Sequence, residues 1–326
     1  MHREPLVIVT PALAAANNGN WHTARRWARL LAPAYRVAVT DCWSGGAETL
    51  MIALHARRSA ASVAAWRAAH PGRPLLLVLT GTDLYRDIAT DADAQRSLVL
   101  ADALVVLNEL GARQLPEALR AKAQVVLQSS PARAPAARTP RHLRALMVGH
   151  LRAEKDPQTY WRAAQRLAQR RDIRLDHIGA ALDPALGAQA AALAARQPQF
   201  RWLGGQPHAA VRRRIQHAHV LVHPSRMEGG AQVVIEAIRS GTPVLASRID
   251  GNLGLLGSGY EGVFAPGDDA ALAALLARAR DEADMLPRLA AQLALRSHLF
   301  DPAAEQAALH RIIGALRARH LDRSPR

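Results

Sequence analysis

The chain reads as an α/β protein built from two doubly wound, Rossmann-like parallel sheets. Short β-type apolar runs alternate with alanine-rich helical patterns, the signature of parallel sheets covered by helices. The series is interrupted once by an aperiodic, proline-rich stretch, "SSPARAPAARTPRH", and then begins again. At 326 residues there is room for two ordinary domains with full cores.

In order, the first series offers strands at "LVIVT" (6–10), "RVAVT" (36–40), "LMIAL" (50–54), "LLLVL" (75–79), "ALVVL" (103–107) and "QVVLQ" (124–128). The second offers "LRALMVG" (143–149), "IRLDHIG" (173–179), "FRWLG" (200–204), "HVLVHP" (219–224), "TPVLAS" (242–247) and "EGVFAP" (261–266). This divides the chain into a first domain over 1–128, a linker over 129–142 and a second domain over 143–300. The segment from about 283 to 320 reads as helical throughout, with 301–326 a C-terminal helix packing back on the first domain.

Composition removes several function classes. The single cysteine, Cys42, excludes a disulfide framework and any cysteine-rich zinc site. No apolar run approaches a membrane span, and "MHREPLVIVTPAL" reads as a first strand, so a cytoplasmic protein without stable membrane association is expected. The net charge of +15 invites a nucleic-acid partner, but it is evenly spread: 17 basic and 10 acidic residues up to residue 142, 25 and 17 after it. A docking face would concentrate that excess, and no nucleic-acid partner is expected. Forty of the 42 basic residues are arginine, which makes Lys122 and Lys155 the more informative cations.

In open α/β sheets, ligands bind outside the carboxyl ends of the strands. The unusual residues fall there: Asn18, Gly19 and Asn20 in "NNGNW", His55 with Arg57 and Arg58, Thr82 and Asp83 in "GTD", then "GHLRAEK" and "SRMEGG". In "VGHLRAEKD", Gly149 permits a tight turn and Arg152 and Lys155 place two cations before a helix, a seat for a diphosphate. In "EGGAQVVIEAIRSGTPV", Gly229 and Gly230 leave amides bare at a helix start, with Glu228 on the loop and Glu236 two turns inside the helix. Either acid can accept hydrogen bonds from vicinal sugar hydroxyls; a surface helix acid is the competing reading of Glu236. Asp83, at a strand end, can orient a hydroxyl or a basic group; capping its loop is the competing reading. Ser59 can start a helix, and Arg25 and Arg26 are second candidates for an anion pocket. Three patterns carry no site: "GSGYEG" precedes a strand, "DAD" (91–93) lies in a polar helical stretch, and "HAHVLVH" only alternates along a strand.

"VGHLRAEKD", "PSRMEGGAQVVIEAIRSGTPVLAS" and "GVFAPGDDAALAALL" together resemble the carboxy-terminal domain of retaining glycosyltransferases of the GT-B fold, family 4, whose E-x7-E motif matches Glu228 and Glu236. "GTDLY" and His55 have counterparts in that family's acceptor domain, so the resemblance covers nearly the whole chain. It implies two domains facing across a cleft, metal-independent transfer without cofactor, and a UDP-sugar donor. Arg152 and Lys155 would hold the donor diphosphate, Glu228 the donor sugar and Glu236 the ribose.

"NNGNWHTARRW", "LHARRSA" and "IDGNLGLLGSG", the last standing in place of a glycine-proline-glutamate turn, are similar to the selenosugar synthase subfamily of selenoneine biosynthesis. This implies attack of selenophosphate on a UDP-sugar (UDP-N-acetylglucosamine or UDP-glucose), giving a 1-selenosugar. It also implies small-molecule substrates and cooperation with a selenophosphate-producing enzyme. Arg57 and Arg58 beside His55 would form the compact cationic pocket. A transferase acting on a hydroxyl acceptor and a UDP-sugar epimerase of the same fold are the alternatives.

Overall fold

The computed structural model describes residues 3–14 and 19–321. Two compact units emerge. One comprises Met1–Ser129, Glu228–Gly230 and Pro302–Arg326, the other Ser130–Met227 and Ala231–Asp301.

The first unit runs β1 (Glu4–Val9), α1 (Gly19–Leu31), β2 (Tyr35–Thr40), β3 (Leu50–Leu54), α2 (Ala60–Ala69), β4 (Leu75–Leu79), α3 (Ile88–Thr90), α4 (Ala92–Leu100), β5 (Ala103–Val106) and β6 (Ala123–Val125). Its six parallel strands are ordered β2-β1-β3-β4-β5-β6. Side chains alternate across the pleat. Leu6 and Ile8 face a core shared with Trp27 and Leu31 of α1, whereas Val7 and Val9 face Trp43, Val63 and Trp66. The central strands β3, β4 and β5 are buried on both faces, which is why they read as unbroken apolar runs, whereas the edge strands β2 and β6 are partly exposed. The order reverses between β1 and β3, the switch point at which ligands bind in such sheets.

The second unit runs β7 (Leu143–Val148), α5 (Pro157–Arg166), β8 (Ile173–Ile178), α6 (Pro184–Arg196), β9 (Phe200–Trp202), α7 (His208–His217), β10 (Val220–His223), α8 (Gln232–Ile238), β11 (Val244–Ser247), α9 (Asp250–Leu256), β12 (Val263–Phe264), α10 (Asp269–Asp281) and α11 (Met285–Ala294). Its parallel order is β12-β11-β10-β7-β8-β9, with the switch point between β7 and β10. Asp183 and Asp268 cap α6 and α10 through their carboxylates. Asp91 of "DAD" does the same for α4, accepting from Ala94 N–H at 2.8 Å.

All twelve expected strands form, with ends displaced by a few residues. Two local expectations are corrected, and one further segment departs from the family pattern. The helix expected over 283–320 is broken: α11 ends at Ala294, a 3-10 turn covers Ser297–Phe300, and α12 (Pro302–Leu321) starts afresh. Pro302 has no N–H to continue an incoming helix and instead occupies a first turn. "IDGNLGLLGSG" forms α9, closed by Gly257 at φ +95°, rather than a turn. Helix α8 begins at Gln232, so Gly229 and Gly230 precede its cap and Glu236 lies about one turn inside.

α12 belongs to the first unit, where Leu309, Ile313 and Leu316 join the core of α1. Glu305 anchors it. This buried carboxylate accepts from Trp27 Nε1 (2.6 Å), Arg26 Nε (3.0 Å), Ser129 N–H (2.9 Å) and Ser129 Oγ (2.5 Å). No helix among the described residues is long and apolar enough to cross a membrane.

Candidate active site

In the second unit, β7 ends at Val148 and the chain turns at Gly149 into a loop bearing His150, Arg152 and Lys155. His177 fixes this turn from below. Its Nδ1 faces the Trp161 indole N–H at 3.1 Å and so acts as acceptor, leaving Nε2–H to donate to the Gly149 carbonyl at 3.0 Å. Burial, partly opposed by that hydrogen bond, brings the His177 pKa down to about 4. The Lys155 stem packs within 3.5 Å of where a Cβ on Gly149 would stand. A Cβ on Gly179 would come 1.8 Å from the Gly149 carbonyl oxygen, so only glycine admits this approach.

The loop ends at Asp156, held in the left-handed region at φ 44°, ψ 54° just before Pro157 opens α5. The buried Asp156 carboxylate accepts from Thr159 Oγ1 (2.8 Å) and Arg226 Nε (3.1 Å), and Arg226 N–H donates to Glu154 O (2.9 Å). The segments after β7 and β10 are thereby tied across the second unit's switch point. His150, which sequence reasoning did not single out, is half-buried and accepts from Ala180 N–H. Burial first, then the charges of Arg152 and Lys155, hold its imidazole below the usual range. Both predicted cations therefore act on one small region at the end of β7.

Glu236 is buried and engaged. Its Oε1 lies 2.7 Å from His208 Nε2 and 4.0 Å from Arg212 Nη1, while its backbone carbonyl accepts from Ser240 Oγ. It is not the surface acid that its helical position suggests. Arg212 is itself held by Ser130 Oγ and, at 2.8 Å, by the Pro131 carbonyl. Glu228, Gly229 and Gly230 cluster with the first unit. Glu228 is buried, and Gly229 O accepts from Asn108 Nδ2 at 2.8 Å. A Cβ on Gly229 would come 2.3 Å from the Thr80 carbonyl oxygen, so this position also requires glycine.

In the first unit, the loop after β3 forms a charged knot. His55 adopts φ 73°, the left-handed region, which costs a β-carbon residue about 1–3 kcal/mol and concentrates at functional sites. Its Nδ1 accepts from Arg58 N–H (3.4 Å), and Nε2 meets Thr82 Oγ1 at 3.1 Å. Burial lowers its pKa; Asp83 opposes this, Arg58 adds to it, Asp87 opposes it and Arg57 adds to it. Asp83 chiefly holds backbone: Oδ1 accepts from the N–H groups of Thr80 and Gly81, and Oδ2 from that of Ala56, each at 2.9 Å, with Thr80 Oγ1 a longer donor at 3.4 Å. The loop-capping reading of Asp83 matches this geometry.

Asp83 also opens a single π turn, Asp83–Asp87, which places Asp87 beside the same histidine, with Oδ2 3.9 Å from His55 Nε2. Asp87 was not evident in the sequence. It accepts from Arg57 Nε (2.9 Å) and Arg86 Nε (3.0 Å). Burial works against its charge, but the Arg86 hydrogen bond and the charges of Arg57, Arg86 and His55 hold its carboxyl below the usual range. The Arg58 side chain is exposed. Ser59 Oγ donates to Leu54 O (2.6 Å) rather than capping α2. Gly19 and Asn20 open α1, Asn18 lies outside the described residues, Arg25 is exposed, and Arg26 is taken by Glu305. Among the described residues, no group of three or more His, Cys, Asp or Glu side chains forms a metal-ligand cluster.

Residues 132–292 match the family described as glycosyl transferases group 1. No curated protein matches the sequence. Among solved structures, a sucrose-phosphate synthase from Thermosynechococcus elongatus is similar at TM-score 0.79 and 17% identity, over 97% of this chain and 100% of that one. HepE from Anabaena, in complex with UDP and glucose, is similar at TM-score 0.75 and 14% identity, over 96% and 100%. TarM from S. aureus, in complex with fondaparinux, α-GlcNAc-glycerol and UDP, is similar at TM-score 0.66 and 11% identity, over 81% and 55%. At these identities the structural matches establish the fold, and the group 1 match establishes the enzyme class. With a group 1 domain in its second unit and this pair of doubly wound sheets, the chain is a glycosyltransferase of the GT-B fold.

Proposed function

We propose that the chain is a selenosugar synthase that transfers the sugar of a UDP-sugar to selenophosphate. The carrying observation is the His55–Arg57–Arg58 knot after β3, at the first unit's switch point. A strained, buried histidine between guanidiniums suits a small, highly charged nucleophile. Arg57 is oriented by Asp87, whose own charge is balanced by Arg86, leaving Arg58 exposed for an incoming anion.

On the donor side, Arg152 and Lys155 would neutralise the departing diphosphate, with Gly149 giving it close access to backbone. Glu228 would bind sugar hydroxyls and Glu236 the ribose, for which His208 would have to yield or share the carboxylate. UDP is named with the HepE and TarM structures, which supports the same leaving group here. A selenium lone pair forms the bond to the anomeric carbon as the bond to the UDP oxygen breaks. Water then cleaves the selenium–phosphorus bond, releasing phosphate and the 1-selenosugar. Selenium arrives as a competent nucleophile, so no residue is assigned as general base.

The test is UDP release from UDP-N-acetylglucosamine or UDP-glucose, with and without selenophosphate. Release that requires selenophosphate supports the reading; release only with an alcohol acceptor makes the enzyme a conventional hydroxyl glycosyltransferase.

A further inference from the structure

The second unit carries another cluster of cations, at the opposite end of its sheet from the Gly149 loop. Arg144 on β7 is the register partner of Arg174 on β8, so two like charges stand side by side on one sheet face. Such a pair destabilises a sheet unless a counter-charge lies between. The acid on that face, Asp176, is committed elsewhere: it accepts from Arg201 Nε and Nη2, both at 2.8 Å. Helix α7 adds Arg213, Arg214 and His217, enclosing a cavity of about 370 Å³ lined also by Arg144, Leu146 and Asp176.

Unmet polar groups are buried here. Arg144 Nε has no hydrogen-bond partner among the described residues, and neither has Nε2 of the neighbouring His142. Burial first, then the charges of Arg174, Arg144, Arg280 and Arg201, hold His142 below the usual histidine range, so its ring stays neutral among four guanidiniums. Arg214 reaches Asp176 only at 3.8 Å, and Arg213 has no carboxylate partner among the described residues. The cavity volume lies in the range of small-molecule sites, and planar guanidiniums match phosphoryl oxygens two at a time. From Arg144 to Gly149 is five residues of strand, or about 16 Å, too far for one phosphoryl group to touch both places.

We propose that this cavity is a second anion site, taking the phosphoryl group of a phosphate monoester of small-metabolite size. The experiment is calorimetric titration of the full chain with inorganic phosphate and, separately, with a hexose monophosphate, each with and without saturating UDP. Arg213→Glu/Arg214→Gln is the main variant, because both side chains are exposed on a helix and their replacement spares the core. The wild type should bind a phosphoryl probe in the presence of UDP, and the variant at least tenfold more weakly while UDP affinity holds. Tighter binding of the hexose monophosphate than of phosphate identifies a whole monoester as ligand; equal binding assigns recognition to the phosphoryl group alone, and either supports the site. Complete competition by UDP, unchanged affinity in the variant, or no binding of either probe at millimolar concentration overturns it.

Discussion

Acidification should loosen the second unit through His177, and the size follows from its setting. Protonating its Nδ1 would set a new N–H against the Trp161 indole N–H, in a site from which water is excluded. The folded pKa is about 4, against 6.5 for an ordinary histidine. The unfolded chain therefore binds more protons between those values. This contribution is fully present above about pH 6.5, drains as pH falls towards about 4, and is flat below. The gap corresponds to about 3 kcal/mol. Urea unfolding followed by tryptophan fluorescence from pH 7 to 4.5, on wild type and His177→Asn, isolates the effect. The variant starts less stable, because Gly149 O loses its donor, but it lacks this part of the slope. His150, His142 and His219 are also shifted downward and slope the same way in both proteins, so the difference between the curves is the readout. Parallel curves would mean that His177 does not carry the acid sensitivity.

Three other outcomes follow from the structure. Glu305→Ala strands buried donors of Trp27 and Ser129 together with the Arg26 charge, and should cost the first unit roughly 3–5 kcal/mol in denaturant unfolding; a loss below about 1 kcal/mol would mean the pair acts as an exposed one. Glu236→Ala should weaken UDP binding at least tenfold by calorimetry, whereas His208→Ala spares or tightens it; equal UDP affinity in wild type and Glu236→Ala removes the ribose assignment. Arg57→Ala should raise the selenophosphate concentration needed for half-maximal rate while UDP affinity holds, and Asp87→Asn should do the same more mildly by releasing Arg57; a change in UDP affinity alone would move both residues out of the acceptor pocket.

What the sequence disclosed, and what it withheld, has a common physical basis. Strands buried on both faces must be apolar throughout, so runs such as "LMIAL" and "LLLVL" announced themselves to the residue. Loop positions at strand ends were legible because glycine and paired cations are unusual there. Long-range partners left no local trace. Glu305 binds Arg26 across 279 positions, and Glu236 meets His208 across 28. Asp87 is invisible in sequence because its role depends on a π turn, which shifts it from the register of an ordinary helix. The break before α12 was masked by an alanine- and leucine-rich pattern that continues on both sides of Pro302.

The group that attacks the sugar defines this enzyme's reaction. Mass spectrometry of the products formed from UDP-N-acetylglucosamine or UDP-glucose with selenophosphate reads this directly. The expected result is a sugar bearing the selenium isotope pattern, formed with an equal amount of UDP and absent when selenophosphate is omitted. UDP released without any selenium-bearing sugar, at the same rate with and without selenophosphate, would contradict it.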